Sequence, residues 1–441
     1  MKFQIKLALF AILIFAFSSC LTRDLSDYSD DAEMVTFYLY SDTTRYLYSD
    51  TIAEISEYTF TVDDDELLVY NSDSIDYGTR IDSLLPIIAP TFLKIYINDT
   101  IEYVISDSVY LDFTQPMTFT VYASDLKTYQ TYTVNVNIHQ VDPDSCVWAD
   151  RNTTVFSGSS TSENVFYLNE QFSYFATVDG VLYNYISYDA SEWEQNQVTD
   201  LPTSAASNLK HIIASDSIFY YYDNHKLYSS VDGINWSFTA TAGDVDYLLF
   251  DLNSELYGVD EINGKFVQLV NFEWIALGDV PYAFPVDGAA VFVGGSEYDG
   301  VSRGFVVGGI DESGNYLSSV WSTENGSYWS NLSLGKDYFT PRAYAAGVAY
   351  ADGLMLFGGY DANGVVTTET HLFSDDYGVT WTTAENKMIV SSAYAPRFDH
   401  SVVYDSDLGY LYLFGGRTSV GATKADIWRG YQYKQLTDFE D

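Results

Sequence analysis

Residues 372–386 read LFSDDYGVTWTTAEN, and the offsets of Ser374, Asp376, Gly378, Thr380 and Trp381 decide how the second half of the chain folds. The spacing recurs upstream. ISYDASEWEQ carries Ser187, Asp189 and Trp193; YSSVDGINWSF carries Ser230, Asp232 and Trp236; WSTENGSYWSN carries Ser322, Glu324, Gly326 and Trp329. Trp274, in NFEWIAL, marks a unit that has lost the motif, and Tyr433, in DIWRGYQYKQL, stands near the tryptophan position of a last one. The markers at 193, 236, 274, 329, 381 and 433 are 38 to 55 residues apart. That period suits one four-stranded propeller blade each, and six markers predict six blades.

A second periodicity agrees. GFVVGGI, GLMLFGGY and YLYLFGGR are apolar runs ending in Gly308–Gly309, Gly358–Gly359 and Gly415–Gly416, and TPRAYAAGVAY and APRFDHSVVY precede two of them. The combination resembles kelch repeats, strongly over 285–435 and faintly over 150–280. The Ser-x-Asp-x-Gly-x-Thr-Trp pattern resembles the Asp box of sialidases and related propellers, complete only at Ser374–Trp381. Its residues read as a turn between a blade's third and fourth strands. Asp376 would accept backbone N–H bonds, Gly378 would supply a positive φ, and Trp381 would pack between blades. Asp189, Trp193, Asp232, Trp236, Glu324 and Trp329 are expected to do the same in their units. Residues 147–156 are positioned to add a strand to the last blade and so join the two ends of the ring.

Strand alternation then assigns the faces. The first-to-second and third-to-fourth turns share one face. The second-to-third loops and the connections between blades share the other. The long segments GGIDESGNYLSS, GGYDANGVVTTET and GGRTSVGATKAD fall on the second face with the Pro-Arg segments. Binding residues commonly sit on loops held by a rigid scaffold. The expected ligand-binding set is therefore Arg342, Tyr344, Tyr360, Arg397, Phe398, Asp399, His400 and Arg417. In kelch domains, positions matching Arg342, Tyr360, Arg397 and Arg417 often line a central surface, so the resemblance implies the same here. Clustered arginines would suit a carboxylate on an acidic sugar or peptide. The structural alternative has the post-proline arginines bonding neighbouring blades and His400 packing between them.

The N-terminal half differs. From about residue 33, MVTFYLY, YTFTV, ELLVYN, FLKIYIND, MTFTVYAS and TYTVNVNIH are short runs rich in β-branched and aromatic residues. Tyr132, Val134, Val136 and Ile138 alternate with polar residues, a period of two that gives one face to a core. The reading is a β-sandwich over 33–139, a linker at 140–149 and the propeller over 150–441. The ending VYASDLKTYQTYTVNVNI resembles immunoglobulin-like or cadherin-like modules of bacterial surface proteins, most of which are spacers.

Residues 1–20, MKFQIKLALFAILIFAFSSC, begin with Lys2 and Lys6, continue through the apolar run Leu7–Phe17 and end on Cys20. The run is too short for an ordinary span. It looks like a bacterial lipoprotein signal, 1–19, cut before Cys20, whose thiol then carries lipid. A tether at 20–32 follows, and its acidic LTRDLSDYSDD resembles the export tethers of surface lipoproteins from Bacteroides-like bacteria. The expectation is an outer-membrane lipoprotein, periplasmic or surface-exposed.

Across 441 residues, 62 Asp and Glu outweigh 20 Lys and Arg, giving a formal charge of −42. Such a surface repels nucleic acid. Two cysteines exclude a disulfide scaffold. The five histidines form no close metal signature, and no cofactor or metal is expected. Kelch-type galactose oxidase needs a tyrosine–cysteine pair, but Cys146 precedes the repeats. Sialidases need an arginine triad, and the early blades offer almost no arginine. No nucleophile elbow is present. The sequence thus favours a binding protein for a glycan or an envelope protein, with a glycan-active enzyme or a structural scaffold as the alternatives.

Overall fold

Tight turns set the register of the C-terminal strands. Asn169–Glu170, Asp216–Ser217, Asn224–His225, Asn253–Ser254 and Asn271–Phe272 all have positive φ at both positions, as a two-residue hairpin turn requires. The computed structural model describes residues 29–41, 55–90, 94–103, 109–241, 245–295, 299–350, 353–367, 371–384, 390–418 and 423–432. Cys20 and Tyr433 lie outside them. The chain divides into two compact units, one up to Asp142 and one from Pro143.

The first unit is all β. A six-stranded sheet runs, in spatial order, Phe60–Asp63, Leu68–Asn71, Tyr129–Asn135, Met117–Tyr122, Lys94–Ile97 and Ile101–Tyr103. Only Leu68–Asn71 with Tyr129–Asn135 is parallel. Thr36–Ser41 pairs with Leu84–Ala89 in a second sheet. Phe37 and Leu39 pack with Ile88, Ile95, Phe119, Tyr132 and Val134 in one core. The alternation from Tyr132 therefore does set the buried face, with Val136 and Ile138 packed at its edge.

The second unit holds six four-stranded antiparallel sheets, consistent with propeller blades. The first comprises Ser160–Leu168, Gln171–Val178, Val181–Ser187 and Glu194–Gln197; the second Ile212–Ser215, Ile218–Asp223, Lys226–Ser230 and Ser237–Thr241; the third Tyr247–Leu252, Glu255–Asp260, Lys265–Val270 and Glu273–Asp279. The fourth comprises Ala290–Gly295, Ser302–Val307, Val320–Thr323 and Ser330–Asn331; the fifth Ala346–Tyr350, Gly353–Phe357, His371–Ser374 and Thr382–Thr383. The sixth joins Ser401–Asp405, Tyr410–Phe414 and Asp426–Gln432 to Cys146–Thr154 from the other end of the unit. Gln432 lies opposite Cys146 and Gly430 opposite Trp148. Residues 146–149 are thus paired strand rather than the end of a linker. The pairing is the one anticipated for 147–156.

The tryptophans show how the sheets pack. Trp236 of the second sheet lies 6.3 Å from Phe175 of the first, and Trp274 of the third lies 6.2 Å from Tyr222 of the second. Trp329 of the fourth stacks on Phe266 of the third at 4.8 Å, and Trp381 of the fifth shares a core with Phe305 and Val307 of the fourth. Trp193 of the first sheet lies 6.1 Å from Phe414 of the sixth. Each ring reaches the sheet before its own, and the first reaches the last. Burial of such rings is worth about 3–5 kcal/mol each against truncation to alanine.

Candidate functional site

The tryptophan turns bond within themselves. Ser374 Oγ donates to Asp376 Oδ1 (2.9 Å) and accepts from the Gly378 N–H (2.8 Å). Asp376 also accepts from the Thr380 N–H and hydroxyl at 2.8 and 2.6 Å, and Trp381 Nε1 donates to the Gly378 carbonyl at 3.2 Å. Gly378 has φ +93°. Asp232 is held in the same way by Ser230, Ile234 and Asn235, and Asp189 by Ser187, Ser191 and Glu192. Burial works against the charge of Asp232, but the bonds from Asn235, Ile234 and Ser230 outweigh it and hold its pKa down to about 2.

One assignment is corrected. In the fourth sheet the turn is built by Thr323 and Asn325, not by Ser322 and Glu324. Thr323 Oγ1 accepts from the Gly326 N–H (2.9 Å), Asn325 Oδ1 accepts from the Ser327 and Tyr328 N–H groups, and Trp329 Nε1 donates to Gly326. Counted from Thr323, the tryptophan offset equals that from Ser230. An amide oxygen accepts these bonds as a carboxylate does, so Glu324 is released to pair with Arg303 at 2.8 Å.

Three expected ligand residues, Arg342, Arg397 and His400, are buried instead. Arg342 and Arg397 are each only 1 % exposed. Arg342 Nη1 donates to the Gly358 carbonyl and to Thr367 Oγ1, both at 3.3 Å, while its own carbonyl accepts from the Gly309 N–H at 2.8 Å. Arg397 Nη1 donates to the Gly415 carbonyl (2.9 Å), and its carbonyl accepts from the Gly359 N–H (3.1 Å). Each arginine staples the paired glycines of its own sheet to those of the sheet before. Gly308 and Gly358 have φ +65° and +61°, and a Cβ at either would collide with the carbonyl oxygen of Arg342 or Arg397. Arg397 further forms a two-pronged pair with Asp426 (2.6 and 3.1 Å) and lies 4.1 Å from the Tyr394 ring. At the junction of sixth and first sheets, Glu163 replaces the arginine carbonyl, accepting from the Gly416 N–H (3.3 Å), from Tyr174 (2.6 Å) and from Ser160. His400 is buried too, neither ring nitrogen having a partner among the described residues. Burial, then Arg397 and Lys210, push its pKa well below the usual imidazole value. It fills space beside Gly358 and Gly416 that Ala289 and Ala345 fill in the preceding sheets.

Tyr344, Tyr360, Phe398, Asp399 and Arg417 do come together. Tyr344 and Tyr360 stack in parallel, centroids 5.4 Å apart with 9° between planes. Phe398 meets Tyr360 edge-on at 4.7 Å, and Tyr316 leans on it at 5.9 Å. The Tyr344 hydroxyl donates to Asp287 Oδ2 at 2.5 Å; burial, then this carboxylate, raise its pKa. Burial and Tyr316 push Tyr360 up to about 12. Arg417 Nε stands 3.5 Å from Asp399 Oδ2, and its Nη2 donates to the Thr161 carbonyl of the first sheet. Lys210, just before the second sheet, donates to the His400 carbonyl and Ser401 Oγ at 3.2 Å each. Tyr344 and Asp399 both have φ +56°, where the matching residue of the preceding segment is Gly288 at +63°.

Asp287, Tyr316 and Lys210 were not singled out in the sequence. Aligning PVDGAA with PRAYAA and PRFDHS would have found Asp287, since the three segments share proline and register. Lys210 follows no repeat, because its connection contains two short 3-10 turns, Thr203–Ser207 and Leu209–His211. Among the described residues, the fourth, fifth and sixth sheets carry the long second-to-third strand loops. The first two close their second-to-third strand connections with two-residue turns, Asp179–Gly180 and Asn224–His225. Among the described residues, no group of three or more His, Cys, Asp or Glu is placed to hold a metal ion.

A family model described as the DUF6242 beta propeller domain matches residues 142–436, and one described as the domain of unknown function (DUF6242) N-terminal domain matches residues 31–136. The chain belongs to the DUF6242 family. Its DUF6242 propeller region is the unit that carries the six sheets and the tyrosine cluster. No curated protein matches the DUF6242 chain. A solved structure titled "Structure of YjhT" is similar to it at 13% identity, with a TM-score of 0.47, covering 62% of this chain and 95% of that one.

Proposed function

We propose that the six sheets close into a six-bladed kelch-type ring whose Gly-Gly face binds a glycan, in a lipid-anchored envelope protein bearing acyl chains on Cys20. The tyrosine stack is the observation that carries the reading. Tyr344 occupies a left-handed backbone conformation that glycine takes in the preceding segment, at a cost of roughly 1–2 kcal/mol. In return its ring lies flat on Tyr360 with its hydroxyl fixed on Asp287. Aromatic surface, carboxylates and the cations Arg417 and Lys210 then stand within one cluster. This is the mixture of apolar walls and few oriented polar groups that small-ligand sites use. The N-terminal unit serves as a spacer in this reading.

The test is a glycan array probed with the chain lacking residues 1–19, alongside Tyr360→Ala and Arg417→Ala. Binding lost in both variants, with melting temperatures close to the parent's, supports the reading. Unchanged binding would remove this cluster from it.

A second reading, a glycan-active enzyme, is favoured by one observation. Asp287, bonded by the Tyr344 hydroxyl, and Asp399, paired with Arg417, are two carboxylates of the cluster, and glycosidic chemistry needs two. It predicts turnover of a glycan mixture that disappears in Asp287→Asn or Asp399→Asn. Binding without turnover returns the first reading.

A further inference from the structure

The other face, that of the tryptophan turns, carries a separate feature. A groove of ≈ 650 Å³ opens between the turns of the fourth and fifth sheets, lined among others by Asp299, Arg303, Glu324, Tyr328, Asp376 and Tyr377. We propose that this groove is a second saccharide site, taking a neutral, hydroxyl-rich sugar, independent of the Gly-Gly face.

Three observations support it. Arg303 is clamped by two carboxylates: Nη2 lies 2.7 Å from Asp299 Oδ2 and 2.8 Å from Glu324 Oε1, and Nε lies 3.1 Å from Glu324 Oε1. A guanidinium committed in this way is not free to turn toward an incoming anion, so acidic ligands gain nothing here. Glu324 uses only one oxygen in the clamp, and more than half of its side chain is exposed. Arg303 Nη1 is likewise engaged, with Asp299 Oδ1 at 3.3 Å and the Val301 carbonyl at 3.4 Å, so Glu324 Oε2 is a fixed acceptor left for a hydroxyl. Tyr328, 81 % exposed, provides an aromatic face at the rim. The turn itself does not require these residues. Tyr188, Val231 and Asp375 hold the position of Glu324 in the other turns without an arginine partner among the described bonds. A carboxylate held in place by a guanidinium beside an open aromatic ring offers acceptors for a sugar's hydroxyls and a flat surface for its ring.

The experiment uses the chain lacking residues 1–19 on an array of neutral and acidic glycans, with Tyr328→Ala and Glu324→Gln compared against Tyr360→Ala. The expected result is a set of neutral glycans whose binding falls at least about tenfold in Tyr328→Ala and in Glu324→Gln but persists in Tyr360→Ala. Tyr328 is exposed, so its variant keeps the fold, and melting curves verify this for both. The proposal is overturned by an array with no neutral glycan bound. It is equally overturned if every neutral glycan is lost in Tyr360→Ala, or if none is lost in Tyr328→Ala. Failure here leaves the Gly-Gly face untouched, because that site is read through different variants.

Discussion

Replacing Arg397 by alanine separates a stapling residue from a ligand residue. The side chain is 1 % exposed and holds the Ala395 and Gly415 carbonyls at 3.0 and 2.9 Å, besides the two-pronged pair with Asp426. Its removal strands the buried Gly415 carbonyl and the half-buried Ala395 carbonyl, and leaves Asp426, about one-third exposed, without its cation. Breaking a buried pair from one side costs about 3–5 kcal/mol. For a unit of this size that is a fall in Tm of roughly 6–10 °C. Arg397→Lys should recover part of the loss, since one ammonium cannot replace a planar fork. The assay is urea unfolding followed by tryptophan fluorescence, because Trp428 donates to Asp426 in the same network. A variant within about 0.5 kcal/mol of the parent, a change typical of surface positions, would refute the stapling argument.

Three further outcomes follow from the same geometry. Tyr344→Gly should be more stable than Tyr344→Ala by about 1 kcal/mol, the reverse of the usual order, because alanine keeps the positive-φ penalty; equal stabilities in chemical denaturation would contradict the strain. His371 is fully buried, stacks on Phe357 at 4.9 Å and has its pKa lowered by burial to about 4. The unfolded chain takes up its proton first, so stability present above about pH 6.5 drains away as pH falls toward 4, by about 3 kcal/mol in all. His371→Phe should flatten that part of the stability–pH curve, and an unchanged curve would show the imidazole to be solvated. Glu163 is raised by burial, with Ser160, Tyr174 and Gly416 opposing. Its protonated form favours the fold, so this contribution declines as pH rises above the ordinary carboxylate range. The stability gap between the parent and Glu163→Gln, measured by denaturation at several pH values, should therefore shift in favour of the variant with increasing pH.

The repeat was legible because each tryptophan turn obeys local chemistry. A short acidic or amide side chain two residues past a hydroxyl can bond the turn's own N–H groups, and that needs no knowledge of the rest of the fold. The same locality misled at Glu324, where Asn325 does the bonding one residue later. The sixth sheet was legible in part, since residues 147–156 lead into the first repeat and could add a strand to the last one. Burial of Arg342 and Arg397 was not, because proline followed by arginine looks alike whether the guanidinium meets a ligand or a carbonyl. Only the approach of the preceding sheet's glycines distinguishes the two. Lys210 and Tyr316 were invisible for a related reason: their partners lie in other sheets, at separations no local pattern encodes.

On the reading proposed above, a glycan binds at the Tyr344–Tyr360 cluster. A crystal structure of the propeller chain with its best array glycan tests it most directly. Sugar density is expected against the Tyr360 and Phe398 rings, with hydroxyls within about 3 Å of Asp399, Asp287 or Arg417. Density confined to other surfaces, with that cluster holding only solvent, would contradict it.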